Sequence, residues 1–128
     1  MENGPREDDP LTREIIGAAI EVHRALGPGL LESAYETCLA RELELRGLPV
    51  ARQAEIKLEY KGELLDCVYR MDLVVEGSVL VEIKAVENLA AIHDAQVLTY
   101  LRLTGIRKAL LLNFNTPYHR DGIRRLSL

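Results

Sequence analysis

The sequence has no tryptophan, one phenylalanine and five tyrosines, so aromatic residues occupy 5% of its 128 positions. No apolar run approaches the roughly 20 residues of a membrane-spanning helix, and the charged amino terminus lacks the apolar stretch of a signal peptide. The two cysteines, Cys38 and Cys67, have neither CxxC spacing nor a cysteine–histidine partner spacing, which argues against structural zinc. We therefore expect a cytoplasmic protein with free thiols and no membrane partner.

An excess of positive charge is also missing. The net charge is −4, which by itself disfavours a nucleic-acid-binding protein. The charge is unevenly distributed, however. Residues 1–10 contribute −3, whereas the chain from Arg102 onward carries six basic residues against Asp121 alone. This carboxyl-terminal region could contact phosphates, although its cations could equally be solvated groups on strands and loops.

The length of the chain fits one domain with a mixed core. Residues 1–10 combine glycine, proline and clustered acids, so we expect a disordered leader there and a single folded domain over residues 11–128. Periodicity predicts helices over about 12–26, with Thr12 as the cap, and over about 30–46 and 91–104. Strands are predicted over about 54–60 and 108–114 and in a hairpin around 76–78, and the pattern over 123–128 allows a short edge strand.

Three charged residues interrupt the apolar hairpin. Asp72 lies in its first strand, and Glu82 and Lys84 lie in its second strand after a Glu-Gly-Ser turn. Because strand side chains alternate between faces, a three-residue turn would place Asp72 directly across from Glu82 on the same face, about 5 Å away. A two-residue turn would not, so this geometry depends on the register.

Two carboxylates at that separation need a partner, because otherwise one of them must stay protonated. A divalent cation such as Mg²⁺ or Mn²⁺ is the simplest neutralising group, and Lys84 beside it could orient a water or stabilise charge on a phosphate. The alternative is an ordinary ion pair on a solvated sheet face. The apolar neighbours Val68, Val74 and Leu80 favour a covered sheet and hence a site.

Two helices contribute further polar residues. Glu32 shares the apolar stripe of the second helix with Tyr35, which indicates either a partner of the helix dipole or a third acid at the same metal. In the third helix, His93, Gln96 and Tyr100 form a polar line at positions i, i+3 and i+7. That line could be a solvated edge, or it could face the sheet where Lys84 emerges.

Several motifs occur in a recognisable order. They are the segment Gly29-Leu30-Leu31-Glu32-Ser33-Ala34-Tyr35, then Asp72, then Glu82-x-Lys84, then Gln96-x-x-x-Tyr100. With them the chain resembles the GxxExxY family within the PD-(D/E)XK nuclease superfamily, over about residues 12–126. Asp72 and Glu82-x-Lys84 correspond to the catalytic core of that superfamily, and Gln96-x-x-x-Tyr100 looks like its QxxxY helix motif.

The resemblance implies a restriction-endonuclease-like α/β core, with a mixed sheet flanked by helices in the order ααβββαβ(β). It also implies metal-dependent hydrolysis of phosphodiester bonds, with DNA as the expected nucleic acid. Lys84 would be the catalytic lysine beside the two acids. The ligands of the divalent metal would be Glu32, Asp72, Glu82 and the carbonyl of Ile83. The residues that position the substrate would be Tyr35, His93, Gln96 and Tyr100.

Two questions stay open at this level. A non-catalytic or partner-dependent module for nucleic-acid binding or assembly would use the same fold, and the acidic net charge is compatible with it. A homodimer would let so small a nuclease reach both strands of a duplex, and exposed edge strands would allow it to form.

Overall fold

The computed structural model describes residues 9–128, except for the side chains of Cys67 and His119. The elements, in chain order, are α1 (Pro10–Leu26), α2 (Glu32–Leu45), β1 (Val50–Tyr60), β2 (Glu63–Val75), β3 (Val79–Lys84), α3 (Ala91–Thr104), β4 (Lys108–Asn113) and β5 (Ile123–Ser127). A short 3₁₀ helix, His119–Gly122, precedes β5. The predicted order is confirmed, including the final strand. None of the helices in this part of the chain has the length and apolar character needed to cross a membrane.

The five strands form one sheet in the order β1-β2-β3-β4-β5. β3 and β4 run parallel, and the other neighbouring pairs are antiparallel. The parallel pair follows from α3, which connects these two strands as a crossover helix. The sheet is therefore mixed, as predicted, and the carboxyl ends of β3 and β4 lie at the same edge.

Helices cover both faces of the sheet. On one face, α1 and α2 pack on a buried cluster that contains Ile15, Leu39, Leu43, Leu73, Val81, Leu110 and Phe114. On the other face, α3 packs on a second cluster that contains Val74, Leu80, Val97, Tyr100, Leu101 and Leu111. β3 and β4 are buried on both faces, which explains their nearly continuous apolar sequence.

The first helix begins earlier than predicted. Asp9, and not Thr12, is its cap: the Asp9 carboxylate accepts hydrogen bonds from the amide of Leu11 and from the Thr12 hydroxyl. Pro10 occupies the first helical turn, where its missing N–H costs nothing. The predicted leader therefore lies outside the described residues except for Asp9 and Pro10, which form this helix start.

The hairpin between β2 and β3 has the longer of the two turns that the sequence allowed. Val75 pairs with Val79, so Glu76, Gly77 and Ser78 make a three-residue connection. Glu76 and Gly77 both have positive φ, at 52° and 66°. The pairing continues to Leu73 opposite Val81, and one further step along this register places Asp72 across from Glu82.

Two further element boundaries differ from the sequence pattern. β1 begins at Val50, before the alternating segment, because Val50, Ala51 and Arg52 pair with the end of β2. α2 begins at Glu32, because Leu30 leaves the helical path and donates its amide to the Tyr35 hydroxyl at 3.1 Å.

Candidate active site

Hydrogen bonds from backbone amides hold the carboxylates of Asp72 and Glu82 at the point where β2 and β3 separate. The amide of Asp72 donates to Glu82 Oε2 at 2.8 Å, and the amide of Ile83 donates to Asp72 Oδ2 at 2.8 Å. The carboxylates therefore replace the strand-to-strand hydrogen bonds beyond Leu73. The other oxygen of Glu82, Oε1, accepts no hydrogen bond from the described residues.

Burial raises the free-energy cost of ionising these two carboxyl groups. Glu82 is only 4% exposed. Burial, followed by the charge of Asp72, raises the pKa of Glu82 to about 8, against an ordinary value of 4.5. Burial also raises the pKa of Asp72, opposed in part by the hydrogen bond from the Ile83 amide. Without a cation, Glu82 is therefore protonated at neutral pH, as expected for two crowded carboxyl groups.

Lys84 ends β3, two residues beyond Glu82 and on the same face of the strand. Its positive charge lowers the pKa of both Asp72 and Glu82, which places its ammonium within electrostatic reach of the pair. Among the described residues, none makes a hydrogen bond or an ion pair with the Lys84 side chain. The ammonium is therefore available to a ligand.

Glu36 is an acid of this site that the sequence reasoning missed. It is 8% exposed and accepts a hydrogen bond from Gln53 Nε2 at 2.8 Å. The same Gln53 amide lies 3.4 Å from Asp72 Oδ1, and the charge of Glu36 raises the pKa of both Asp72 and Glu82. Arg52 holds the other carboxylate oxygen of Glu36. A signal was present, since Glu36 lies one helical turn after Glu32.

Gln53 itself has an unusual backbone. Its φ is 52°, although it is neither glycine nor in a turn. Residues with this conformation inside a strand are uncommon, and they concentrate at functional sites where the surrounding structure holds them. Here the conformation accompanies a side chain that bridges Glu36 on α2 and Asp72 on β2.

Glu32 and Tyr35, the two motif residues of α2, lie in different surroundings. Glu32 is exposed, and its Oε2 accepts from the amide of Ala85 at 3.2 Å, so it reaches the residue after Lys84. Tyr35 is fully buried and stacks on Phe114 with ring centroids 4.5 Å apart. Its hydroxyl donates to the carbonyl of Gly27 at 2.6 Å, so it holds the loop between the helices.

The polar residues predicted to form a line on α3 also lie in different surroundings. His93 Nδ1 accepts from the amide of Ala90, so its ring helps to cap the helix. Gln96 Nε2 donates to the Tyr100 hydroxyl at 3.2 Å. Burial raises the pKa of Tyr100, and the charges of Glu82 and Asp72 raise it further, so its hydroxyl lies within electrostatic reach of the acid pair.

Asn113, at the end of β4, fixes the loop that follows Lys84. Its side chain donates to the carbonyl of Val86 and accepts from the amides of Val86 and Asn115. The residue is buried, and its backbone pairs with Lys84. This asparagine therefore holds the strand end that carries the lysine.

The donor set partly fits a divalent cation. Two neighbouring carboxylates with excess negative charge and a nearby carbonyl, that of Ile83, suit Mg²⁺ or Mn²⁺, which bind one or two carboxylates and complete their shell with waters. A ready-made cluster is absent, however: within the described residues, no three Asp, Glu, His or Cys side chains are close enough together to hold a metal ion. Glu32 points to Ala85 and Glu36 to Arg52.

Comparison with known proteins is consistent with this geometry. The sequence from residue 9 to residue 126 matches the family described as the PD-(D/E)XK nuclease superfamily. This chain belongs to the PD-(D/E)XK nuclease superfamily. The residue types in that name occur here as Asp72 and as Glu82-Ile83-Lys84.

A search of solved structures gives the chain titled "Crystal structure of SSO0001". It is 16% identical, with a TM-score of 0.45, and the match covers 91% of this PD-(D/E)XK superfamily member and 75% of that chain. No curated protein matches the sequence.

Proposed function

We propose that the protein is a metal-dependent nuclease of the GxxExxY type that hydrolyses phosphodiester bonds of DNA in the cytoplasm. The observation that carries the proposal is the pair of carboxylates, buried Glu82 and half-buried Asp72, held by reciprocal backbone hydrogen bonds where two strands separate. A non-catalytic surface has no need for such a pair, because buried like charges destabilise the fold. Superfamily membership supports a nuclease-like reaction.

In this proposal Asp72, Glu82 and the carbonyl of Ile83 hold Mg²⁺ or Mn²⁺, and Glu32 becomes a further ligand only when it leaves the amide of Ala85. When bound, the cation supplies Lewis-acid activation of a water and neutralises charge on the phosphate. The free oxygen Glu82 Oε1 supports this role, because no described residue donates to it.

Lys84 and α3 act on the substrate. The Lys84 ammonium, which has no protein partner among the described residues, lies beside the acid pair and stabilises negative charge that develops on the phosphate. Gln96 and Tyr100, linked by their hydrogen bond, position the strand, and the Tyr100 hydroxyl lies within electrostatic reach of the acid pair. We assign His93 and Tyr35 to indirect positioning, since their polar atoms bond to Ala90 and Gly27.

A nucleic-acid-binding or assembly module that needs a partner for activity is the second candidate function. Two observations favour it: the net charge of −4 and the absence of a preassembled three-ligand cluster among the described residues. In that case a partner protein or the nucleic acid itself would complete the site.

The decisive assay is cleavage of labelled single-stranded and double-stranded DNA and RNA with Mg²⁺, Mn²⁺ or chelator. Wild type is compared with Lys84→Ala and with Lys57→Ala, an exposed lysine on β1 that serves as the matched control. We expect metal-dependent cleavage of DNA by wild type and the control, and a loss of at least about 100-fold in Lys84→Ala. Metal binding and DNA binding without cleavage in any protein would favour the binding module.

We also propose that the protein forms a homodimer through the distal half of β2. β3 pairs with β2 only over Leu73–Val75, and Leu64, Val68 and Tyr69 are exposed beyond it. An antiparallel pairing centred between residues 66 and 67 would place Glu63 opposite Arg70 of the second copy. Light scattering should show a dimer that Leu64→Lys dissociates and that Leu45→Lys, an equally exposed site on α2, leaves intact.

A further inference from the structure

A cleft of about 510 Å³ lies between the end of α1 and the segment that follows β4. Its lining combines an aromatic ring, two arginines and a buried histidine: Ile20, His23, Arg24, Pro117, Tyr118 and Arg120. None of these residues belongs to the acid site described above. The cleft is therefore a separate surface whose chemistry the proposed hydrolysis does not use.

The cleft is built on a fixed frame. His23, 7% exposed, donates from Nε2 to the carbonyl of Thr116 at 2.7 Å. At the other end of the segment, Gly122 packs directly on the carbonyl of Asn113, where a Cβ would collide. The segment that carries Tyr118 and Arg120 is thus attached to both α1 and β4.

The cleft lies at the same edge of the sheet as Lys84. Lys84 pairs with Asn113 in the parallel β3–β4 register, and the amide of Phe114 donates to the carbonyl of Lys84 at 2.9 Å. Tyr118 follows Phe114 by four residues, so their Cα atoms are at most about 14 Å apart. A nucleic-acid strand of a few nucleotides can contact both places.

The exposed groups suit a single strand. Tyr118 is 67% exposed, more than the exposed rings of Tyr60 and Tyr69. An exposed ring can stack on an unpaired base, whereas the bases of a duplex have no free face for it. Arg120 makes no hydrogen bond or ion pair with the described residues, and Arg24 has one exposed contact with Glu21 at 3.5 Å, which a phosphate can replace at little cost.

We propose that this cleft binds a single-stranded segment of nucleic acid next to the bond that is cut, with a base on Tyr118 and phosphates on Arg24 and Arg120. The proposal rests on the proposed nuclease function and adds a substrate class to it: single strands or frayed ends in preference to blunt duplex. Arg24 and Arg120 also give the cleft a local positive charge for phosphates, although the net charge of the chain is −4.

The test is binding of a fluorescent single-stranded oligonucleotide, followed by anisotropy with Mg²⁺ in the Lys84→Ala background, where cleavage is blocked. Tyr118→Ala should weaken binding roughly tenfold, and Tyr118→Phe should restore it because the ring still stacks. Arg24→Ala and Arg120→Ala should each reduce the salt dependence by about 0.7 in slope, whereas Arg41→Ala, an exposed arginine on α2, should not. Blunt duplex should bind more weakly than the single strand.

The outcomes separate this inference from the nuclease proposal. Cleavage by the wild-type site, together with unchanged oligonucleotide binding in the Tyr118 and arginine variants, overturns the cleft and leaves the nuclease. Oligonucleotide binding that the Tyr118 and arginine variants weaken, without cleavage by wild type, supports the proposed role of the cleft and contradicts the nuclease proposal. Absence of any binding, or tighter binding of blunt duplex than of single strand, overturns the cleft.

Discussion

The amide of Asp72 donates to the Glu82 carboxylate at 2.8 Å, so one acid of the pair is oriented by the backbone of the other. The return hydrogen bond, from the Ile83 amide to Asp72, makes the arrangement reciprocal. The two strands therefore separate where the acids lie, because the carboxylates occupy the positions where strand-to-strand hydrogen bonds would continue. Each substitution at this pair changes both charge and local backbone pairing.

The first prediction concerns stability without metal. Glu82 has a pKa of about 8 in the folded protein and an ordinary value of 4.5, so between these values the folded state keeps a proton that the unfolded state releases. The free energy of unfolding of wild type therefore falls as pH rises from about 4.5 to about 8. Glu82→Gln keeps an acceptor for the Asp72 amide and removes this loss, so its melting temperature in chelator should exceed that of wild type at pH 8. Equal or lower stability there contradicts the prediction.

The second prediction concerns the pH dependence of metal binding. A cation binds the ionised form of Glu82, whose pKa without metal is about 8. Apparent Mg²⁺ affinity should therefore rise with pH, by up to about tenfold per unit, and level off above about pH 8. Calorimetry in two buffers of different ionisation enthalpy should detect a proton released on binding below that pH. A flat affinity between pH 6 and 8 would mean that Glu82 is not a ligand.

The third prediction concerns Glu36, whose charge acts on both acids of the pair. Glu36→Gln removes that charge and keeps an acceptor for Gln53, so the cation loses part of its electrostatic attraction. We expect Mg²⁺ affinity to fall severalfold, with thermal unfolding followed in parallel to separate this from a loss of fold. Glu44→Gln, an exposed acid on the same helix, is the control and should bind as wild type does. Wild-type affinity in Glu36→Gln would exclude Glu36 from the site.

The fourth prediction concerns Tyr35. Its buried hydroxyl donates to Gly27 and accepts from Leu30, so Tyr35→Phe loses two hydrogen bonds and keeps the ring stacked on Phe114. Chemical denaturation should show a loss of about 1–2 kcal/mol in the free energy of unfolding. Tyr60→Phe, at an exposed ring, should change it by less than about 0.5 kcal/mol. If the two variants lose the same free energy of unfolding, the Tyr35 hydroxyl does not stabilise the fold.

The part of the fold that follows from local patterns could be predicted from the sequence. α3 has its predicted bounds, residues 91–104, and the terminating Gly105 marks its end. The sequence reduced the hairpin register to a choice between two turn lengths, and the structure has the three-residue connection that aligns residues 72 and 82.

The features that the sequence did not reveal depend on contacts between distant segments. Glu36 reads as an ordinary polar position of α2 until Gln53 and Arg52 of β1 close over it. The φ of Gln53 has no local signal, and it accompanies side-chain contacts with residues of two other elements, Glu36 and Asp72. Asp9 was assigned to the leader because its acidic surroundings hide its role as a helix cap.

The most direct test of the central claim, that Asp72 and Glu82 share a divalent cation, is calorimetric titration with Mg²⁺ and Mn²⁺ at about pH 8. Wild type, Asp72→Asn, Glu82→Gln and the exposed control Glu44→Gln are compared, each shown to be folded by its melting curve. We predict saturable binding by wild type and the control, and its loss in both site variants. Unchanged metal affinity in Asp72→Asn or Glu82→Gln would contradict the proposed site.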